Sequence, residues 1–180
     1  MITITIEPPP DLQAKIQRLA MIPGALQRAG RQTVTRTLRG AKQDAARKIG
    51  QRYTIKVGEV TKTIKIHNHG LSGEMVSKGS RNPLKKFRLQ PKKRPRRMPA
   101  GGVFVQNVRG QGGNLLHAFL QRSGNVYERV GRPRFPIKGL KGPSAPGMLS
   151  SPQVGPYIEN KMFQRMQINL NHAVEAILSF

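Results

Sequence analysis

Apolar residues recur along this chain with two periods. Ile2, Ile4 and Ile6 alternate with Thr3 and Thr5, the period-two pattern of a half-buried strand in β-branched residues, and Pro8, Pro9 and Pro10 end it. This predicts an N-terminal strand or arm over residues 1–10, at a sheet edge. Asp11 is placed to cap a helix whose apolar positions are Leu12, Ile16 and Leu19, and Pro23-Gly24 breaks or kinks it. Beyond the break, Leu26, Gly30, Val34, Leu38, Ala41, Ala45 and Ile49 recur at spacings of four or three, while Arg28, Arg31, Arg39, Lys42 and Arg47 lie mostly off that stripe. The pattern predicts a long helix with core on one face and positive charge on the other. Gly30 and Gly40 each cost about 1 kcal/mol in a helix relative to Ala, so close packing or a bend must offset them.

Between Tyr53 and Leu71 the two periods compete. Val57, Val60 and Ile64 suit helical turns whereas Ile64 and Ile66 alternate as a strand does; the helical spacing predicts a short helix over 58–65. Residues 74–78 read as a brief strand, as do 103–109, 117–121 and 126–130, the last two joined through Arg122-Ser123-Gly124-Asn125 in a tight hairpin. The last three of these strands are expected to form the main antiparallel sheet. Residues 131–155 are so rich in Gly and Pro that a long surface loop is expected. Pro156 opens a last helix over 156–180, with the stripe Ile158, Met162, Met166, Leu170, Val174 and Ile177 turned to the sheet or a neighbouring subunit. The expected fold class is α+β in one domain over 1–180: a long kinked N-terminal helix and a C-terminal helix packed on a small antiparallel sheet, with long basic and Gly/Pro-rich loops.

Composition adds partners to this picture. Of 180 residues 32 are Lys or Arg and 8 are Asp or Glu, a formal net charge of +24, and the hydrophobic fraction of 37% with no Trp allows only a modest core. Such a charge attracts polyanions or acidic protein surfaces. It is most concentrated at Lys85, Lys86, Arg88, Lys92, Lys93, Arg94, Arg96 and Arg97, with Pro91, Pro95 and Pro99 interleaved, and no Asp or Glu occurs from Met75 to Tyr127. An exposed, extended loop over 85–101 is expected. The absence of Cys excludes disulfide staples, thiolate zinc sites and cysteine nucleophiles, and fits a reducing compartment or a virus particle. No window approaches the roughly 18 apolar residues of a membrane span, and the first residues lack signal-peptide character, so a soluble chain unprocessed at its N-terminus is expected, with no membrane partner.

Candidates for chemistry are few. His67 and His69 stand two apart without a third ligand nearby, which favours an exposed turn over a metal site. Glu159-Asn160-Lys161 matches the tail of a nuclease-type acidic-x-Lys motif, yet the only Pro-Asp is Pro10-Asp11, and Glu159 suits the dipole of a helix's first turn. Neither a phosphate-cradling Gly-x-x-x-x-Gly-Lys loop nor a Gly-x-Ser-x-Gly elbow occurs. The chain is expected to be a non-enzyme with no cofactor, no metal and no small-molecule substrate. The basic loop is suited to lie along a phosphate backbone; eight duplex contacts would make log K fall with log salt at a slope of about −7. Phe87 is its single aromatic residue, so contact directed at the backbone is expected rather than base stacking, with acidic protein partners as the competing occupant. Arg129, Arg132 and Arg134 are either anchors of their loop or charges facing the partner.

The order of features resembles the phage minor tail protein Z family, tail-completion proteins of long-tailed bacteriophages and prophages. The residues that carry this are Ile22-Pro23-Gly24-Ala25, Tyr53-Thr54-Ile55-Lys56-Val57, Pro83-Leu84-Lys85-Lys86-Phe87, Ala118-Phe119-Leu120, Tyr127-Glu128-Arg129, Arg132-x-Arg134-Phe135-Pro136-Ile137 and Gly142-Pro143-Ser144. The resemblance implies a structural virion protein at the head-proximal end of the tail, assembled in the bacterial host cytoplasm. It would join the head and hold the DNA as a homo-oligomeric ring, with the tail tube, tail terminator and connector as protein partners and double-stranded DNA in the lumen. The family supplies no catalytic residues. Two other classes compete: a ribosomal-type structural RNA-binding protein, which shares the charge and the small core, and a DNA-cleaving enzyme, which would need Glu159 and a divalent metal.

Overall fold

The longest apolar stripe becomes the longest element. In the structure, a computed structural model that describes residues 2–5 and 21–178, helix α1 spans Ala25–Arg52. At 1.5 Å per residue its 28 residues run about 42 Å. It starts directly after Pro23-Gly24; the helix expected at Leu12–Leu19, and with it the expected break or kink, lies outside the described residues. The buried face is Ala25, Ala29, Thr33, Val34, Thr37, Leu38, Ala41, Asp44, Ala45, Ala46 and Ile49. The expected stripe holds from Val34 onward, but at the N-terminal end Ala25 and Ala29 are buried and Leu26 is exposed.

The order after α1 is helix α2 (Val57–Thr61), then strands β2 (Ile64–Asn68) and β3 (Gly73–Ser77), which join the N-terminal strand β1 (Ile2–Thr5) in a sheet ordered β1-β3-β2. Ile4 and Ile66 both stand opposite Met75, and β1 is at the edge. The short helix expected over 58–65 is found one residue earlier and shorter: it ends at Thr61, and the alternation of Ile64 and Ile66 belongs to β2. Beyond β3 come β4 (Arg81–Pro83), a 3-10 turn at Leu84–Lys86, β5 (Arg88–Gln90), β6 (Val103–Val108), β7 (Gln111–Leu115), β8 (Ala118–Leu120), β9 (Val126–Arg129), β10 (Ile137–Gly139), β11 (Lys141–Ser144), α3 (Ala145–Leu149) and α4 (Gly155–Leu178).

The fold is α+β, with the strands in four small antiparallel sheets rather than one main sheet. β6 pairs with β5 and β7, β9 pairs with β8 and β10, and β4 pairs with β11. Two further expectations are corrected. Residues 85–101 are not one extended loop, because Phe87 and Leu89 alternate with Lys86, Arg88 and Gln90 and are pulled into two different cores, leaving only residues 91–102 between strands. Residues 131–155 are likewise not a long surface loop: they hold β10, β11 and α3, and Ala145, Pro146, Met148, Leu149 and Val154 are buried. Ser144 caps α3 by accepting a 3.1 Å hydrogen bond from the Gly147 amide.

The C-terminal helix packs chiefly on α1, not on a sheet. Ala25 and Ala29 meet Leu170, Ala173 and Val174 at one end of the pair, and Ala45 and Ile49 share a core with Ile158 and Met162 at the other, so the helices run antiparallel. Small residues on α1 let them approach closely. Two polar rungs cross the seam: Asn169 Nδ2 donates to Thr37 Oγ1 at 3.0 Å, and Arg165 forks onto Asp44 with Nε and Nη2 at 2.5 and 3.0 Å. Asp44 is only 8% exposed, and its hydrogen bonds raise the guanidinium pKa further above its ordinary value. A second, smaller core of Leu84, Leu89, Val103, Val105, Ala118, Leu120 and Val126 joins the sheets of β6 and β9. It is stitched to α1 through Thr54, whose hydroxyl bonds the Gln106 carbonyl and accepts from the Arg88 amide at 2.9 Å.

Gly40 explains itself in this seam. A Cβ built there would lie 2.9 Å from Arg165 Cδ and Nη1, so close packing is what offsets its propensity cost. Gly58, in α2, has nothing within 4 Å. Gly58→Ala is therefore expected to stabilise the chain by about 0.5 kcal/mol, whereas Gly40→Ala displaces Arg165 from a buried carboxylate and destabilises it by about 1–2 kcal/mol. Thermal unfolding of the two variants, shifting in opposite directions, checks both.

Candidate polyanion-binding groove

Strand alternation decides which side chains of the β8-β9-β10 sheet meet solvent. Ala118, Leu120 and Val126 enter the second core, so Phe119, Tyr127 and Arg129 occupy the opposite face, with Phe119 opposite Tyr127 and Arg129 opposite Ile137. The Phe119 and Tyr127 rings stack with centroids 6.3 Å apart. Two basic segments then close over that face. From one side comes the loop over residues 91–102, whose return into β6 needs Gly102: its φ is +71°, and a Cβ there would lie 2.7 Å from Leu116 Cα. From the other side comes the turn between β9 and β10, with Phe135 exposed and the Arg134 guanidinium 5.8 Å from its ring centroid.

The result is a groove of about 390 Å³ lined by Arg94, Arg96, Arg129 and Arg134, with Phe119 and Phe135 beside them. The four arginines come from two separate stretches of chain, and none of the residues lining the groove is acidic. The nearby Glu128 points to the other face, since it stands in register with Ala118 and Lys138. Four guanidiniums with no carboxylate among the lining residues repel one another, and an anion placed between them relieves that repulsion.

The structure sorts the expected contact residues. Arg94, Arg96 and Arg134 share the groove. Lys92, Lys93, Arg97 and Arg132 are exposed outside it. Lys85 Nζ reaches the Ser123 carbonyl at 3.5 Å, Lys86 Nζ lies 2.6 Å from Glu59 Oε2, and Arg88 Nη1 donates to Gln106 Oε1 at 3.3 Å, so these three are occupied within the fold. Arg129 and the aromatic rings complete the groove. Their signal was present as a Phe119, Tyr127, Arg129 alternation, but nothing local placed it against Arg94. A larger hollow of about 890 Å³ lies beside α1, rimmed by Arg28, Arg31, Arg36 and Arg39. Those arginines sit at helical spacing on one face, as an amphipathic helix requires for solvation, whereas the groove gathers charge from distant segments.

Other candidates stay apart. His67 and His69 are both exposed at the end of β2, and among the described residues no three His, Cys, Asp or Glu side chains come together as a metal site. Glu159 is exposed in the first turns of α4. No described helix is long and apolar enough to cross a membrane. No protein-family model, no curated protein and no solved structure matches the chain.

The Lys86–Glu59 pair tethers the base of the basic segment to α2. The Lys86 hydrogen bond, then the charges of Lys86, Lys62 and Lys56, hold the Glu59 carboxyl below its ordinary value of 4.5. A lowered folded-state value means that its stabilisation is complete above the ordinary value and is lost as pH falls through the lowered one. Glu59→Gln is expected to lower the melting temperature at neutral pH, with the gap to the wild type closing in acid; a gap independent of pH would contradict the tether.

Proposed function

We propose that this chain is a structural, non-catalytic component of a bacteriophage tail, at its head-proximal neck, assembled as a ring of identical subunits that contact DNA through the arginine groove and the loop above it. The single observation that carries the reading is the convergence of Arg94, Arg96, Arg129 and Arg134 in one groove with no acidic residue in its lining. Guanidiniums are suited to phosphate because their donors match two oxygens at once. The resemblance to the minor tail protein Z family supplies the biological setting, and the physics of the groove supports a polyanion within it. A ring multiplies each weak contact by the subunit number, so a modest site in every subunit holds DNA firmly in total. Closed rings need one self-consistent rotation between neighbours, which makes the oligomer's mass a direct measure of the symmetry. The protein partners in this setting are the tail tube, tail terminator and connector.

The reading is tested in two ways. Replacing Arg94, Arg96, Arg129 and Arg134 together by Gln is expected to leave the fold intact, because all four are exposed, and to flatten the slope of log K against log salt for DNA by about 4, roughly 0.9 for each phosphate contact removed. In particles carrying the same variant, head–tail joining or DNA retention is expected to fail. Unchanged salt dependence together with normal infectivity would overturn the proposal.

A further inference from the structure

The groove holds more apolar surface than a duplex backbone can use. Beside its four arginines stand Phe119, Phe135, Ile137 and Met98, and Phe135 is 64% exposed. Phosphate oxygens gain nothing from such side chains. Bases do, but in a duplex they are stacked on one another and their faces are closed to a protein ring. Rings interleaved with cations are the arrangement that binds unpaired nucleotides, each base stacking on an aromatic face while guanidiniums follow the backbone. Within the basic loop the sequence offers Phe87 alone, and that ring is buried in the main core; the aromatic surface comes instead from β8 and from the turn before β10.

We infer that the groove is a binding site for a short single-stranded segment of DNA, with Phe135 and Phe119, the latter backed by the Tyr127 ring, as base platforms and Arg94, Arg96, Arg129 and Arg134 on the phosphates. This deepens the proposed contact with DNA and rests on it. Phe135 projects from the surface with the Arg134 guanidinium on its ring, so a base laid on the free face meets a ring already polarised by a cation. Phe119 is only partly exposed and has Tyr127 as its ring partner, so it is the more rigid of the two platforms. An acidic peptide would satisfy the charges but leave these rings unused.

The test is fluorescence anisotropy of the full chain with labelled oligothymidylate, with a duplex of the same length, and with polyglutamate as competitor. The single strand is expected to bind tighter than the duplex, and Phe135→Ala to weaken it about tenfold while leaving duplex binding within about twofold. Phe135→Trp restores single-strand binding. Since Phe135 lies outside the hydrophobic cores, its replacement does not disturb folding, which circular dichroism verifies. Duplex binding equal to or tighter than the single strand, or insensitivity to Phe135→Ala, overturns the inference and leaves the DNA contact standing. Displacement by polyglutamate as effective as by unlabelled oligothymidylate also overturns it, in favour of an acidic protein segment. Failure of both nucleic acids to bind at low salt removes the inference and the DNA reading together.

Discussion

The rest of this molecule hangs on the seam between α1 and α4. With few aromatic residues and no Trp, the chain has little bulk with which to bury surface, and it compensates by bringing two long helices close over small side chains, Ala25, Ala29, Ala41, Ala45 and Ala173. Alanine seams pack tightly but specify register poorly, because one small residue fits where another did. The Thr37–Asn169 and Asp44–Arg165 rungs remove that freedom: a shift of one turn would leave a carboxylate unpaired at 8% exposure, a penalty of several kcal/mol. Gly40 is the clearance that the Arg165 fork requires.

From that seam the order of construction is plain. The face of α1 packs against β3, where Gly73 admits the Leu38 side chain, and its C-terminal end passes through Tyr53 and Thr54 into hydrogen bonds with β5 and β6. The second core then fixes β6 beside β8 and β9, and so sets the basic loop opposite the Arg134–Phe135 turn. The groove is thus three steps removed from the helix pair, yet its geometry is inherited from it.

The charge of +24 has a division of labour that its total conceals. Part solvates the outer face of α1, part is consumed by structural pairs such as Lys86 with Glu59, and part is left without acidic neighbours around the groove. Only the last part gathers cations from separate segments into one hollow.

What the sequence determined by itself was local. Periodicity placed α1 from Val34 onward, the β2 alternation at Ile64 and Ile66, the hairpin between β8 and β9, and the stripe of α4, because each depends on neighbours a few residues apart. Charge hid the rest: Phe87 and Leu89 alternate as a strand does, yet the surrounding lysines and arginines read as a solvated loop, and Gly/Pro density likewise hid the buried residues of α3. β7, with Gln111-Gly112-Gly113-Asn114, carries no side-chain signal at all and exists because the backbone of β6 offers a partner. The α+β class was legible, whereas the division into four sheets, the docking of α4 on α1, and the meeting of Arg94 and Arg96 with Arg129, Arg134 and two aromatic rings were decided only by tertiary structure. The physical reason is common to all three: pairing between segments tens of residues apart is selected by burial and hydrogen bonding in the folded whole, and no window along the chain contains both partners.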